Sequence, residues 1–119
     1  MRNINQNVLS AVDTASQTGG KIDASQLYSA SFHAYFGDSG CTGSVKIQAS
    51  NDPCAFGNDA VNFTPTNWVD IPNTSTNVTS GGAILITLSQ LSYRWLRVAF
   101  TYASGGSSTI NVNLNALGF

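Results

Sequence analysis

The chain contains no glutamate, and charged residues make up only 9% of its 119 positions. Soluble proteins ordinarily carry about 25%. Its five basic residues, Arg2, Lys21, Lys46, Arg94 and Arg97, are scattered, and the formal net charge is −1. Without a basic run there is nothing to grip a phosphate backbone, which argues against nucleic acid as a partner. The lack of Glu and the scarcity of Lys also remove strong helix formers. Ser, Thr, Asn and Gly are abundant instead, a mix that favours strands joined by polar turns.

Catalytic chemistry is equally short of material. His33 is the lone histidine, and it falls on the polar row of a strand. General acid–base or nucleophilic work needs partnered groups, and no such pair stands at a telling spacing. The expectation is therefore no catalytic residue and no enzyme. Cys41 and Cys54 are the only cysteines, too few with one His for a zinc site. The strand expected between them, Ser44 to Ser50, separates its ends by roughly 20 Å. A disulfide needs Cα atoms within about 7 Å, so two reduced thiols are expected. Gly37, Gly40 and Gly43 lack the following Lys-Ser/Thr and helix of a phosphate loop. Asp52, Asn58 and Asp59 carry oxygens suited to calcium, but their spacing matches no EF-hand, and no metal or other cofactor is expected. No apolar run approaches the ~20 residues of a membrane helix. Met1-Arg2-Asn3-Ile4-Asn5 leads into no apolar signal segment. Synthesis in the cytoplasm, without a membrane partner, is the expectation.

What the chain does have is alternation. Tyr28, Ala30, Phe32, Ala34 and Phe36 form an apolar row against Ser29, Ser31, His33 and Tyr35, the period of a half-buried strand. Val45, Ile47 and Ala49 do the same against Lys46 and Gln48, and Ile110, Val112, Leu114 and Ala116 against Asn111, Asn113 and Asn115. Asn67-Trp68-Val69-Asp70-Ile71 reads as a short strand closed by Pro72. Ala83 to Leu88 is apolar on both rows and predicts a strand covered on both sides. Tyr93 to Tyr102 is the central strand. Leu96, Val98 and Phe100 face the core, with Phe32, Ala34, Val45, Ile47, Val112 and Leu114 as facing partners. Its other row, Tyr93, Trp95 and Arg97, is either a second packing layer or a contact surface. With turn signals every eight to twelve residues, seven or eight strands predict an all-β fold, an antiparallel β-sandwich with jelly-roll character.

Residues 1–20 read as an N-terminal arm with one strand from about Asn5 to Val12, and 21–119 as the sandwich domain. The longest irregular stretch, Cys54 to Thr66, is anchored by Phe56, Val61 and Phe63. Arms and long loops are where contacts concentrate. The candidate interface residues are accordingly Ile4, Val8, Phe56, Phe63, Tyr93, Trp95 and Arg97. A surface of uncharged polar residues repels its neighbours weakly, and suits either a small free domain or a subunit packed in an assembly.

Four segments in order carry a family resemblance: Ser44-Val45-Lys46-Ile47-Gln48-Ala49-Ser50-Asn51-Asp52, Asn67-Trp68-Val69-Asp70-Ile71, Tyr93-Arg94-Trp95-Leu96-Arg97-Val98-Ala99-Phe100-Thr101, and Thr109 to Phe119. This series resembles small β-sandwich proteins encoded among tailed-bacteriophage structural genes. It is also similar to the discoidin-type (galactose-binding-like) jelly roll. The resemblance covers about residues 22–119, and its motifs are mostly structural. The phage resemblance implies a virion component: a capsid decoration (cement) protein or a head or tail accessory subunit, made in the host cytoplasm. Its implied partners are the major capsid protein, other virion subunits and copies of itself, a trimer among the options. The discoidin resemblance implies the alternative, a carbohydrate- or receptor-binding module whose glycan would meet the loop around Phe56. The resemblance makes the Trp95–Arg97 row look like a recurrent packing feature of the fold.

Overall fold

The computed structural model describes residues 2–37, 40–54, 62–79 and 82–118. These residues form ten strands and no helix: β1 (Arg2–Val12), β2 (Gln17–Thr18), β3 (Ile22–Asp23), β4 (Leu27–Phe36), β5 (Thr42–Ser50), β6 (Val69–Asp70), β7 (Thr76–Val78), β8 (Ala83–Leu88), β9 (Trp95–Ser104) and β10 (Thr109–Gly118). No helix is therefore long and apolar enough to cross a membrane among the described residues. The ten strands make two packed antiparallel sheets, a β-sandwich. Sheet A has the order β1-β10-β4-β8. Sheet B has β9 and β5 at its centre, with β2 and β3 along the free side of β9 and β6 and β7 along that of β5. The excess over the seven or eight expected strands is made of the two-residue pieces β2 and β3.

One core lies between the sheets. Phe32, Ile110, Val112 and Leu114 come from sheet A, and Val45, Ile47, Leu96, Val98 and Phe100 from sheet B. Burying each such side chain is worth about 1.5–3 kcal/mol. The expected facing partners of β9 divide into two kinds. Phe32, Ala34, Val112 and Leu114 do stand on the opposite sheet. Val45 and Ile47 instead lie beside Phe100 and Val98 in the same sheet, since β5 is the hydrogen-bonded neighbour of β9.

The segment read as an arm contributes β1, which pairs with β10 from Arg2↔Gly118 to Val12↔Thr109, with one shift between Asn7 and Leu9. After β1, Asp13 is fully buried against the β9–β10 hairpin. Its Oδ1 accepts the Ser108 N–H at 3.0 Å. The hairpin turns through Gly105 and Gly106 at φ +74° and +83°, a region costly for residues bearing a Cβ.

Three local expectations are corrected. Tyr28 leaves the core row: the β4–β10 register shifts there, Leu27 becomes the buried residue, and Tyr28 is exposed. Extra residues of this sort turn the following side chains to the other face. Asn67–Ile71 is reduced to the two residues of β6, and Val69 is exposed while Ile71 is buried. β8 has the expected bounds but is covered on one side only. Ile86 is buried, whereas Leu85 is 69% exposed.

Candidate interaction surfaces

The outer face of sheet B collects four of the five basic residues. Antiparallel register puts Ser50 opposite Trp95, and Gln48 opposite both Arg97 and Asp70. Side chains directly opposite one another share a face. Arg97 Nε donates to Gln48 Oε1 at 2.7 Å. Gln48 Nε2 donates to Asp70 Oδ1 at 2.9 Å, and Lys46 Nζ pairs with Asp70 Oδ2 at 2.9 Å. The Arg97 guanidinium lies 4.4 Å from the centre of the Trp68 ring, an attraction between cation and ring quadrupole. A continuous polar chain thus crosses the sheet. Burial pulls Arg97 below its ordinary value, though a guanidinium stays charged. The hydrogen bond from Gln48, then that from Lys46, holds the Asp70 carboxyl below the usual range.

At one end of this face Trp95 is only 1% exposed. Phe63 stacks on it at 5.6 Å, the Arg94 guanidinium lies 4.0 Å from its centre, and Lys21 Nζ lies 5.4 Å away. Its Nε1 donates to the Asp52 carbonyl at 3.1 Å. The side chains of Lys21 and Arg94 are held in turn, Lys21 by the Phe63 carbonyl and Arg94 by Asp23. Burial would raise the Asp23 carboxyl, but hydrogen bonds from Ser25 and the charge of Arg94 outweigh it and lower it.

Asp52 serves as a clamp on the long loop. Its Oδ2 accepts the backbone N–H of Thr66 and Asn67 at 2.8 and 3.0 Å, and its Oδ1 accepts Asn67 Nδ2 at 2.9 Å. The Asn67 N–H, then the Thr66 N–H, lowers its carboxyl. Both oxygens are therefore engaged by the loop itself. Asn58 and Asp59, its companions in the calcium reading, lie outside the described residues. Cys41, which is buried, and Cys54, which is half-buried, do not form a disulfide.

The candidate residues are thus split. Phe63, Trp95 and Arg97 come together on sheet B, and Tyr93 lines an adjoining hollow of about 340 Å³ with Asn51, Asn67 and Asp70. Ile4 and Val8 lie on sheet A, Val8 buried and Ile4 packed half-buried against the core. Phe56 falls outside the described residues. The roles of Trp68 and Lys21 were not legible beforehand, because Trp68 meets Arg97, and Lys21 meets Trp95, across a large sequence separation. A groove of about 290 Å³ runs between Lys21, Pro65, Trp68 and Arg97.

The outer face of sheet A is of another kind. Across its strands run the rows Asn5, Asn115, Ser31 and Thr87; Asn7, Asn113, His33 and Leu85; and Ser10, Asn111, Tyr35 and Ala83. No Lys, Arg or Asp points from it among the described residues. Asn7 Nδ2 donates to Asn113 Oδ1 and Ser10 Oγ to Asn111 Oδ1, each at 3.0 Å. Val12, Tyr35, Leu85 and Leu117 are exposed there as well. The signal for this face was the outward Asn row of β10. Its extension over three more strands depended on pairings that no local pattern records.

No protein-family model matches the chain. No curated protein matches it in sequence. Among solved structures, the crystal structure of the SPBc2 prophage-derived protein YomS is similar, with a TM-score of 0.56 at 13% identity, over 97% of this chain and 92% of that one. At that identity the likeness is one of fold.

Proposed function

We propose that the chain is a non-enzymatic structural subunit of a tailed-phage particle. Within that role it is a capsid decoration (cement) or head or tail accessory protein that binds the major capsid protein and copies of itself. The observation that carries this reading is the sharing of one β-sandwich, end to end, with a prophage-derived protein. The charge-free outer face of sheet A supports it. Covering such a face carries no charge-desolvation cost, and its amides and hydroxyls can be satisfied by hydrogen bonds to a partner. The test is quantitative mass spectrometry of purified particles. The protein is expected at a fixed copy number per capsid, and particles lacking it should lose infectivity sooner on heating or osmotic shock. Absence from particles overturns the reading.

The groove beside Trp68 favours a second reading, a glycan- or receptor-binding module with discoidin-like jelly-roll kinship. An indole flanked by Lys21 and Arg97 offers a flat apolar surface with hydrogen-bond donors, the usual equipment of a small-ligand site. Binding of a multivalent sample to a glycan array, abolished by Trp68→Ala, would establish it. A folded sample with no signal would remove it.

A further inference from the structure

We infer that β8 is a docking edge for a second copy of this chain, pairing antiparallel with the partner's β8 about a twofold axis. The inference builds on the self-assembly in the function proposed above and gives it a surface. Among the described residues β8 is hydrogen-bonded to β4 alone, so it forms one edge of sheet A. Natural sheets protect such edges with charge, proline, bulges or a covering element. The other edge strand, β1, has a register shift between Asn7 and Leu9, and Arg2 and several amide side chains besides. Among the described residues nothing comparable guards β8. Its sequence, Ala-Ile-Leu-Ile-Thr-Leu, holds no charge and no proline, and it pairs with β4 without a register shift from Tyr35↔Ala83 to Ala30↔Leu88. Leu85 is 69% exposed, and the inward Ile84 and Leu88 are only half-buried against the core.

Backbone geometry says what fits this edge. The Phe36 N–H donates to the Gly82 carbonyl at 3.2 Å. Backbone groups of an antiparallel strand point alternately to its two sides. Ile84, Ile86 and Leu88 therefore bond to β4, and Ala83, Leu85 and Thr87 present their N–H and C=O groups to the open edge. In a joined sheet, opposite residues must share a face, so outward Leu85 has to meet an outward residue. A twofold axis through Leu85 achieves this: Leu85 meets Leu85, Ala83 meets Thr87, and Ile84 meets Ile86. Every free backbone group of Ala83, Leu85 and Thr87 then finds a partner, and the exposed leucines cover each other. Centring on Ile86 would instead put Ala83 opposite Ser89, beyond the end of the strand. The edge is its own complement. The outcome is one continuous sheet with an outer face that stays free of charge across the junction.

The test is the solution mass of the full chain by light scattering across concentration, together with amide hydrogen exchange. The wild type is expected to approach twice the 12.5 kDa of one chain, with protection of the Leu85 and Thr87 amides rising as the dimer forms. Leu85→Lys places two ammonium groups on residues about 5.5 Å apart at the axis and should weaken dimerisation by at least about tenfold. Leu85→Pro removes an N–H that bonds to nothing within the protomer, which edge strands tolerate, and should also give monomer. Leu117→Lys, on the same face but away from the edge, should leave the dimer intact. A chain monomeric at about 1 mM, a trimer, or a dimer indifferent to both Leu85 variants overturns the inference. So does a dimer lost with Leu117→Lys alone, which would mean face-to-face stacking. Absence from virions would sink the proposed function and leave this dimer standing; a monomeric chain found in virions would sink the dimer and leave binding to the capsid standing.

Discussion

The two outer faces of the sandwich spend the chain's few charges in opposite ways. Sheet B gathers Lys21, Lys46, Arg94 and Arg97 and ties each to a carboxylate, an amide, a carbonyl or a ring of the same protomer. The outer face of sheet A has none among the described residues, and covers four strands with Asn, Ser, Thr, Tyr and exposed leucine. In a chain this poor in charge the segregation is informative. The sheet B groups are turned inward on themselves: they pin a long loop and roof a buried Trp95. Sheet A asks nothing of its own protomer beyond amide pairs such as Asn7–Asn113. One face finishes the fold; the proposed function assigns the other to a partner.

The comparison breaks first at Trp95. If sheet B's outer layer is structural, Trp95→Ala should cost about 3–5 kcal/mol, as other large-to-small changes at buried aromatics do. Urea denaturation measures it. A loss under about 1 kcal/mol would show that the indole is not part of the protomer's packing.

Arg97→Ala should cost about 1 kcal/mol, for a half-exposed cation–ring contact plus a charged hydrogen bond. A double-mutant cycle with Trp68→Ala isolates the first part and should return about 0.5–1 kcal/mol of coupling. Zero coupling would make the Trp68 platform an accident of proximity.

Acid should act on sheet B and not on the outer face of sheet A. Asp23, Asp52 and Asp70 all have lowered carboxyl values in the folded state. A group depressed on folding stabilises the fold above its unfolded value of about 3.9, and that contribution is lost as pH falls below it through the folded value. Urea midpoints should hold between pH 7 and 5 and fall below about pH 4. Asp23→Asn, Asp52→Asn and Asp70→Asn together should flatten that fall. An unchanged acid limb would move its origin elsewhere.

Asn113→Ala on sheet A should be the quietest change, within about 0.5 kcal/mol in the isolated protomer. A larger loss would mean that the amide ladder holds sheet A together and is not kept for a partner.

Much of the fold was legible from period-two alternation. β5, β9 and β10 fall close to where their apolar rows put them, because a one-sided strand writes its burial into every second residue. Ala83–Leu88 was located correctly and misjudged in burial. A continuously apolar strand reads as covered on both sides, and Leu85 is instead exposed at an edge. β2 and β3 were illegible, since two residues laid along β9 carry no period. Tyr28 was misplaced because one extra residue in β4 inverts a row that looks unbroken. From its residues alone the Trp95–Arg97 row read as packing or contact, and the family resemblance leaned towards packing. Trp95 is buried because Phe63 stacks on it, and Arg97 meets Trp68, from a distant segment, and no spacing encodes that approach.

In the proposed role, sheet A meets the partner while sheet B's outer face serves the protomer. Incorporation of charge variants into particles tests this most directly, with Asn113→Asp on sheet A set against Thr101→Asp on sheet B, each first confirmed to melt as wild type. Asn113→Asp should be depleted from particles by about tenfold, the effect of roughly 1.4 kcal/mol at an interface, and Thr101→Asp should incorporate as wild type. Equal incorporation of the two, or loss of Thr101→Asp alone, would contradict the account.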